Sequence, residues 1–409
     1  MGVDRRSPSS VILPVVRYGL LLMAALVVRL LLVLVPGHNG DVSVMAGWAG
    51  NLADHGPLSF YDRSVSVYPA LLYVLWPLGT ALNGPPLDTA IKALSIPFDL
   101  GLGIAIALVT ARIASRRAAF WATALYLFNP GVLLAGPAWG QVDAAGTLAF
   151  LLALVASAAR RHALAGGLAM LAGLLKPQFG LVLLPVLVVA VRQAVRTRRR
   201  GPPLEVVLAA VGVYALVALP LRLDPIRYAG ELASVTNNLP DASLFAMNPW
   251  GLLLGFETPD QGFALLGAVL LLAGLLLAVL PILRRADLPT LLACGAFVAF
   301  AFYFLPTRVH ERYLFPVFAV LAPVAVGSLP RLVAYIGLSL AFGAAMLYAL
   351  VVVTPFSLPD VIERPLLTPF AIWTMGIALM GFALCWVVLA WRPPWRSPPA
   401  SAPEAVEAS

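Results

Sequence analysis

Six side chains in a mostly aliphatic chain have the types needed for acid–base and anion chemistry: Asp41, Lys176, Arg308, His310, Glu311 and Arg312. A carboxylate such as Asp41 can take the proton of an attacking hydroxyl, which contributes about 10²–10⁴ in rate. Lys176, Arg308 and Arg312, with His310, can neutralise a phosphate leaving group through charge-assisted hydrogen bonds of about 1.5–3 kcal/mol each. Such bonds count most where charge develops in a water-poor site. Trp48, Tyr61, Tyr68 and Trp139 supply flat rings and hydroxyls suited to sugars. Gln141, Asp143 and Gln178 place further polar groups beside them. Together these types fit transfer at a phosphate-linked centre.

The elements that must position them are apolar helices. The 409 residues are 61% hydrophobic and 11% charged, against roughly 45–50% and 25% in soluble domains. The mean hydropathy is +0.92, and its apolar runs extend over the whole length. Only lipid or other runs can cover them, which predicts an all-α, polytopic integral membrane protein. Twelve spans are read at about 11–35, 89–111, 118–136, 144–159, 163–175, 179–193, 204–221, 262–283, 288–306, 313–329, 331–353 and 367–391. No cleavable signal is read, because the first run is too long and no small-residue cleavage site follows it. Cys294 and Cys385 both lie in apolar runs, so no disulfide or metal framework is implied.

Seventeen of the 27 basic residues fall in alternate loops, from Arg5 and Arg6 through Arg192 to Arg200 and on to Arg392 and Arg396. The positive-inside rule makes that side cytoplasmic. The net charge of +8 therefore reads as membrane orientation, since the bases line no single face as a nucleic-acid groove requires. The same parity makes Tyr68 to Leu82 interfacial or re-entrant. It also breaks 163–193 into two spans at Lys176-Pro177-Gln178. The domain plan is a cytoplasmic N-terminus (1–10), a transmembrane domain (11–391) with outer loops 36–88 and 222–261, and a disordered cytoplasmic tail (392–409). All the chemical candidates then sit at the outer face of a cell membrane, at the ends of four helices. Ionisable groups at membrane depth are costly and often functional.

Each candidate also has a plainer explanation. Asp41 is an ordinary loop carboxylate if nothing meets it, with Asp54 and Asp62 as rivals. Lys176 can snorkel to the interface, although it is one of only two lysines. Residues 308–312 can anchor two helix ends, Gln141 and Asp143 can cap the fourth span, and Trp139 fits an aromatic belt as well as a sugar platform. Arg29 and Asp99 lie inside the first two spans and read as a structural pair, with a proton relay as the alternative.

The ordered set Asp41…Trp48…Phe60-Tyr61…Tyr68-Pro69, Trp139-Gly140-Gln141-x-Asp143, Lys176-Pro177-Gln178 and His310-Glu311-Arg312 resembles the GT-C glycosyltransferases. It is most similar to bacterial relatives of the second GPI-anchor mannosyltransferase. In outline it also resembles the dolichyl-phosphate-glucose glucosyltransferases, which have a His-Glu-Lys element. The similarity spans about residues 11–330. Tyr68-Pro69-Ala70 departs from it, relatives usually having Tyr-Pro-Pro. The resemblance implies a polyprenyl-phosphate sugar donor, inversion at the anomeric carbon, and Asp41 as the essential base. It also implies a lipid or glycan acceptor and mannose as the hexose. Lys176, Gln178, His310, Glu311, Arg312, Arg308, Trp139, Gln141, Asp143 and Tyr68 become the substrate-binding set. Basic side chains make an obligatory metal unnecessary, leaving open a divalent cation at Asp41 and Asp143. The rivals are a secondary transporter or lipid flippase, whose charged site belongs near the midplane within repeated halves, and a non-catalytic assembly partner.

Overall fold

The computed structural model describes residues 9–391. Residues 1–8 and the expected tail 392–409 lie outside the described residues. In chain order the helices are α1 (Ser9–Val33), α2 (Asn39–His55), α3 (Pro69–Ala81), α4 (Gly84–Ala93), α5 (Ser95–Ile113), α6 (Arg116–Leu127), α7 (Pro130–Leu133) and α8 (Asp143–Ala158). They continue with α9 (His162–Leu175), α10 (Leu183–Thr197), α11 (Gly201–Ala218), α12 (Pro225–Asn238), α13 (Pro249–Leu254) and α14 (Ala264–Arg284). The last are α15 (Leu288–Phe304), α16 (Phe315–Ala325), α17 (Leu329–Val353), α18 (Asp360–Leu366) and α19 (Pro369–Trp391). Among the described residues β-pairing is confined to isolated bridges.

Among the described residues seven helices are long and apolar enough to cross a membrane, or eight if the pair bent by 47° between α6 and the Pro130–Ala138 segment is one span. The chain is thus an integral membrane protein. Exposed leucines such as Leu20, Leu216 and Leu265 are side chains that only lipid can cover. Five shorter apolar helices, α3, α8, α9, α15 and α16, complete the set. α3 has 13 residues and α16 has 11, about 20 and 16 Å at 1.5 Å per residue, so length alone makes neither a full crossing of a hydrocarbon core of ~30 Å.

Two cores organise the molecule. The larger lies inside the bundle, where α8, α15 and α16 are buried along most of their length. The smaller is formed by the segment after α1, with Val42, Met45, Phe60, Leu72 and Ile91 packed together. This second core fixes the start of α2, and with it Asp41, over one end of the bundle.

The first span carries one buried charge. Arg29 Nε lies 3.3 Å from Asp99 Oδ2 on α5, and the Tyr126 hydroxyl donates to Asp99 Oδ1 at 2.9 Å. Arg29 also donates to the Ala25 and Leu127 carbonyls, so the pair expected from the sequence is formed and tied to α6. Arg29→Ala leaves the Asp99 carboxylate without its cation. It is expected to cost about 3–5 kcal/mol, read as a lowered melting temperature of the purified protein.

Candidate functional site

Four helix ends meet around Asp41. α1 stops where Lys92 of α4 donates to the Val33 carbonyl at 2.8 Å and also to that of Val35, satisfying carbonyls that a helix end leaves open. The chain then presses against the turn after α7. A Cβ on Gly37 would lie 2.9 Å from the Trp139 carbonyl oxygen, and the His38 amide donates to that same oxygen at 3.1 Å. The turn itself is a π-helical stretch, Leu134–Ala138, with the Trp139 amide donating to the Leu134 carbonyl at 2.9 Å. Gly140 follows at φ +99. A Cβ there would meet Val42 at 2.8 Å, so both the backbone angle and the close approach require glycine.

The Asp41 carboxylate receives all its neighbours on Oδ2. Trp139 Nε1 donates to it at 2.7 Å, His38 Nδ1 lies at 3.2 Å and Arg312 NH1 at 3.6 Å. Oδ1 takes no hydrogen bond from the described residues, and the side chain is 25% exposed. Burial alone would raise the Asp41 carboxyl. The Arg312 cation and the hydrogen bonds and charge from His38 and Trp139 outweigh it and hold the group well below the usual carboxylate range. His38 Nδ1 also accepts the Asp41 amide at 3.0 Å, capping α2, and its ring stacks on Trp139 with centroids 5.1 Å apart.

Arg312 comes from the turn between α15 and α16. It is buried, pairs with Glu311 at 2.5 Å, and lies over the rings of Trp139 and Tyr313 at 5.9 and 5.8 Å. Asp41 and Glu311 together push its guanidinium above its ordinary value despite the burial. Glu311 is lowered because Arg312 and His310 outweigh its own burial. His310 is lowered, first by burial and then by Arg312. The backbone of this turn is clasped by the segment after α12, with Leu244 donating to the Val309 carbonyl at 2.9 Å and Glu311 donating to Leu244 at 3.0 Å.

Lys176 approaches from the break between α9 and α10, the break expected at Lys176-Pro177-Gln178. It is 1% exposed, donates to Gln141 at 2.7 Å and to Asp143 at 2.9 Å, and lies 5.8 Å over the Tyr68 ring. Burial pulls the ammonium below its ordinary value, Asp143 opposes this, and the Arg312 cation adds to it. The Tyr68 phenol is pushed up to about 12 by burial, with Arg312 opposing and Asp41 and Asp143 assisting. The Lys176 and Arg312 groups are thus close enough to act on each other's charge.

Polar atoms are left over. Arg312 Nε, Gln178 Nε2 and Asp143 Oδ2 are buried with no hydrogen-bond partner among the described residues. Among the described residues no three His, Cys, Asp or Glu side chains gather as ligands of a metal ion would.

Three expectations change. Asp143 does not cap α8. It is the first helical residue, Val142 is the cap position, and the carboxylate turns to Lys176. Trp139 is 2% exposed, too covered for a belt or an open sugar platform, and its indole N–H holds Asp41. Arg308 stands apart from the cluster: its Nε donates to Asp260 at 3.0 Å and its NH1 to the Thr236 carbonyl at 3.0 Å. It fastens the segment after α12 and does not face Asp41. Arg308→Ala is therefore expected to cost about 1 kcal/mol of stability for a partly exposed pair and to retain most activity in a transfer assay. A role in holding phosphate would instead cost at least about tenfold for one charged hydrogen bond.

No protein-family model and no curated protein sequence matches this chain. Solved structures with a similar backbone include the archaeal oligosaccharyltransferase AglB from Archaeoglobus fulgidus in complex with an inhibitory peptide and a dolichol-phosphate. It is 14% identical with a TM-score of 0.46, over 91% of this chain and 56% of that one. The Archaeoglobus fulgidus oligosaccharyltransferase in its apo form is 14% identical with a TM-score of 0.43, again over 91% of this chain and 56% of that one. The same enzyme tethered by a disulfide bond to an acceptor peptide with the NVT sequon is 16% identical with a TM-score of 0.44, over 91% and 55%. This chain thus spans a little over half the length of those chains.

Proposed function

We propose that the protein is a membrane glycosyltransferase of the GT-C kind. It takes a hexose, mannose by the motif resemblance, from a polyprenyl phosphate and passes it with inversion to a lipid or glycan acceptor. The carrying observation is the convergence on Asp41 of two buried cations from different turns, Arg312 and Lys176. Such cations neutralise a phosphate leaving group, and in a water-poor site their bonds strengthen as leaving-group charge develops. Lys176 and Arg312 are already bonded to Asp143 and Glu311, so they are aimed before substrate arrives.

The four shorter helices α8, α9, α15 and α16, added to the eight longer spans, make twelve crossings in this reading. The basic loops then lie in the cytoplasm and Asp41 at the extracytoplasmic face of a cell membrane. The polyprenyl chain stays in lipid beside the bundle. Asp41 offers Oδ1 to the acceptor hydroxyl. As the anomeric carbon loses its phosphate, the attacking oxygen becomes acidic, so a carboxylate held firmly ionised is still able to accept the proton.

The test is transfer of radiolabelled mannose from polyprenyl phosphate by the purified protein, with membrane lipid extract as acceptor. Full transfer by Asp41→Asn would remove Asp41 from the base role. Proton-coupled solute uptake into proteoliposomes without sugar transfer would favour a transporter.

A further inference from the structure

We infer that His38 and Asp41 form one proton-holding pair, in which His38 is a positioning residue that receives, through Asp41, the proton taken from the acceptor. The inference rests on the reading of Asp41 as the base. His38 Nδ1 lies 3.0 Å from the Asp41 amide nitrogen and 3.2 Å from Asp41 Oδ2. With the imidazole neutral and its proton on Nε2, Nδ1 accepts the amide N–H and caps α2. The same lone pair then faces a carboxylate oxygen, and two electron-rich atoms at that distance repel. A proton on Nδ1 turns the repulsion into a charge-assisted hydrogen bond to Oδ2, and the Asp41 amide then gives up its bond to the ring. The ring is held at this place because it stacks on Trp139, whose indole donates to the same Oδ2.

The charged groups facing the pair are few. Arg312 lies 3.6 Å from Oδ2, with Glu311 and His310 beside it. On the other side the Lys92 stem packs against Gly37, its ammonium bonded to the end of α1. Arg312 and the His38 and Trp139 contacts hold the Asp41 carboxylate far down against its burial, making it a poor resting place for a proton.

In the reaction the acceptor oxygen bonds to the anomeric carbon. The bond from that carbon to the phosphate oxygen breaks, and its electron pair leaves with the phosphate. The hydroxyl proton passes to Asp41 and comes to rest on His38 Nδ1. Asp41 ends the step as an anion and His38 as an imidazolium. His38 is 28% exposed, so water can collect the proton once product has left.

Asparagine separates capping from proton holding, because it is a good helix cap and does not ionise. The full-length protein in lipid nanodiscs is assayed with radiolabelled polyprenyl-phosphate mannose and membrane lipid extract over about pH 5–9. His38→Asn is expected to lower kcat about tenfold or more with KM unchanged, a part of the ~10²–10⁴ range of acid–base catalysis. Its acid limb is expected at lower pH, where only the Asp41 carboxylate is left to titrate. Wild-type kcat and limb in His38→Asn, with loss confined to His38→Ala, would reduce His38 to a cap and overturn the inference. Retained transfer by Asp41→Asn would instead overturn the reading of Asp41. A second arm is independent of the sugar. Nitrogen NMR of the imidazole should show His38 Nδ1 taking its proton at least about one pH unit lower in Asp41→Asn than in wild type, a tenfold loss of proton affinity. An unchanged midpoint would sink the pair.

Discussion

Replacing Asp41 with asparagine is expected to lower sugar transfer by about 10²–10⁴-fold while leaving the fold intact. The amide is isosteric with the carboxylate and can still accept from Trp139 Nε1, which lies at 2.7 Å. The loss of charge removes the attraction of Arg312, whose NH1 lies 3.6 Å away, but Arg312 keeps its 2.5 Å bond to Glu311. Melting temperature should therefore fall by a few degrees, because the buried Arg312, 4% exposed, loses one of its two carboxylates. A collapse in both activity and stability would mean that Asp41 is an architectural charge.

Lys176→Met should behave in the opposite way, losing both. Lys176 and Asp143 are 1% and 0% exposed, and Asp143 already has one oxygen without a partner. Removing the ammonium strands a buried carboxylate, at an expected cost of about 3–5 kcal/mol, together with a severe loss of transfer. The double variant Lys176→Met, Asp143→Asn removes both charges. It should recover stability to within about 1–2 kcal/mol of wild type and recover none of the transfer. Thermal unfolding and the mannose assay on the same preparations separate the two quantities. Recovery of transfer in the double variant would show that Lys176 serves only to neutralise Asp143.

Much of this site was legible in the sequence. The order of short polar motifs between apolar runs assigns Asp41, Tyr68, Gln141, Asp143, Lys176 and residues 310–312 to one face of the bundle. The break at Pro177 and the Arg29–Asp99 pair were readable for the same reason, since a charge or a proline is conspicuous against aliphatic residues. Side-chain direction was less so. Arg308 sits at φ +64, a left-handed turn that residue spacing does not reveal, and it reaches for Asp260, 48 positions earlier. Trp139 looked like many interfacial tryptophans, because its bond to Asp41 depends on a contact 98 residues away in the chain. His38 was visible beside Asp41, but an i,i+3 cap that also faces the carboxylate is a matter of ångströms.

The wide turn at Leu134–Ala138 has a consequence of its own. An α-helix advances about 100° with each residue, and a π-turn accommodates one residue more than the regular coil. The aim of the Trp139 indole is therefore set by how much chain the stretch contains, more than by which residues fill it. Removing one position would let the stretch close as a regular coil with the following residues nearly in place, whereas adding one more would swing the indole about 100° around the axis, away from the carboxylate.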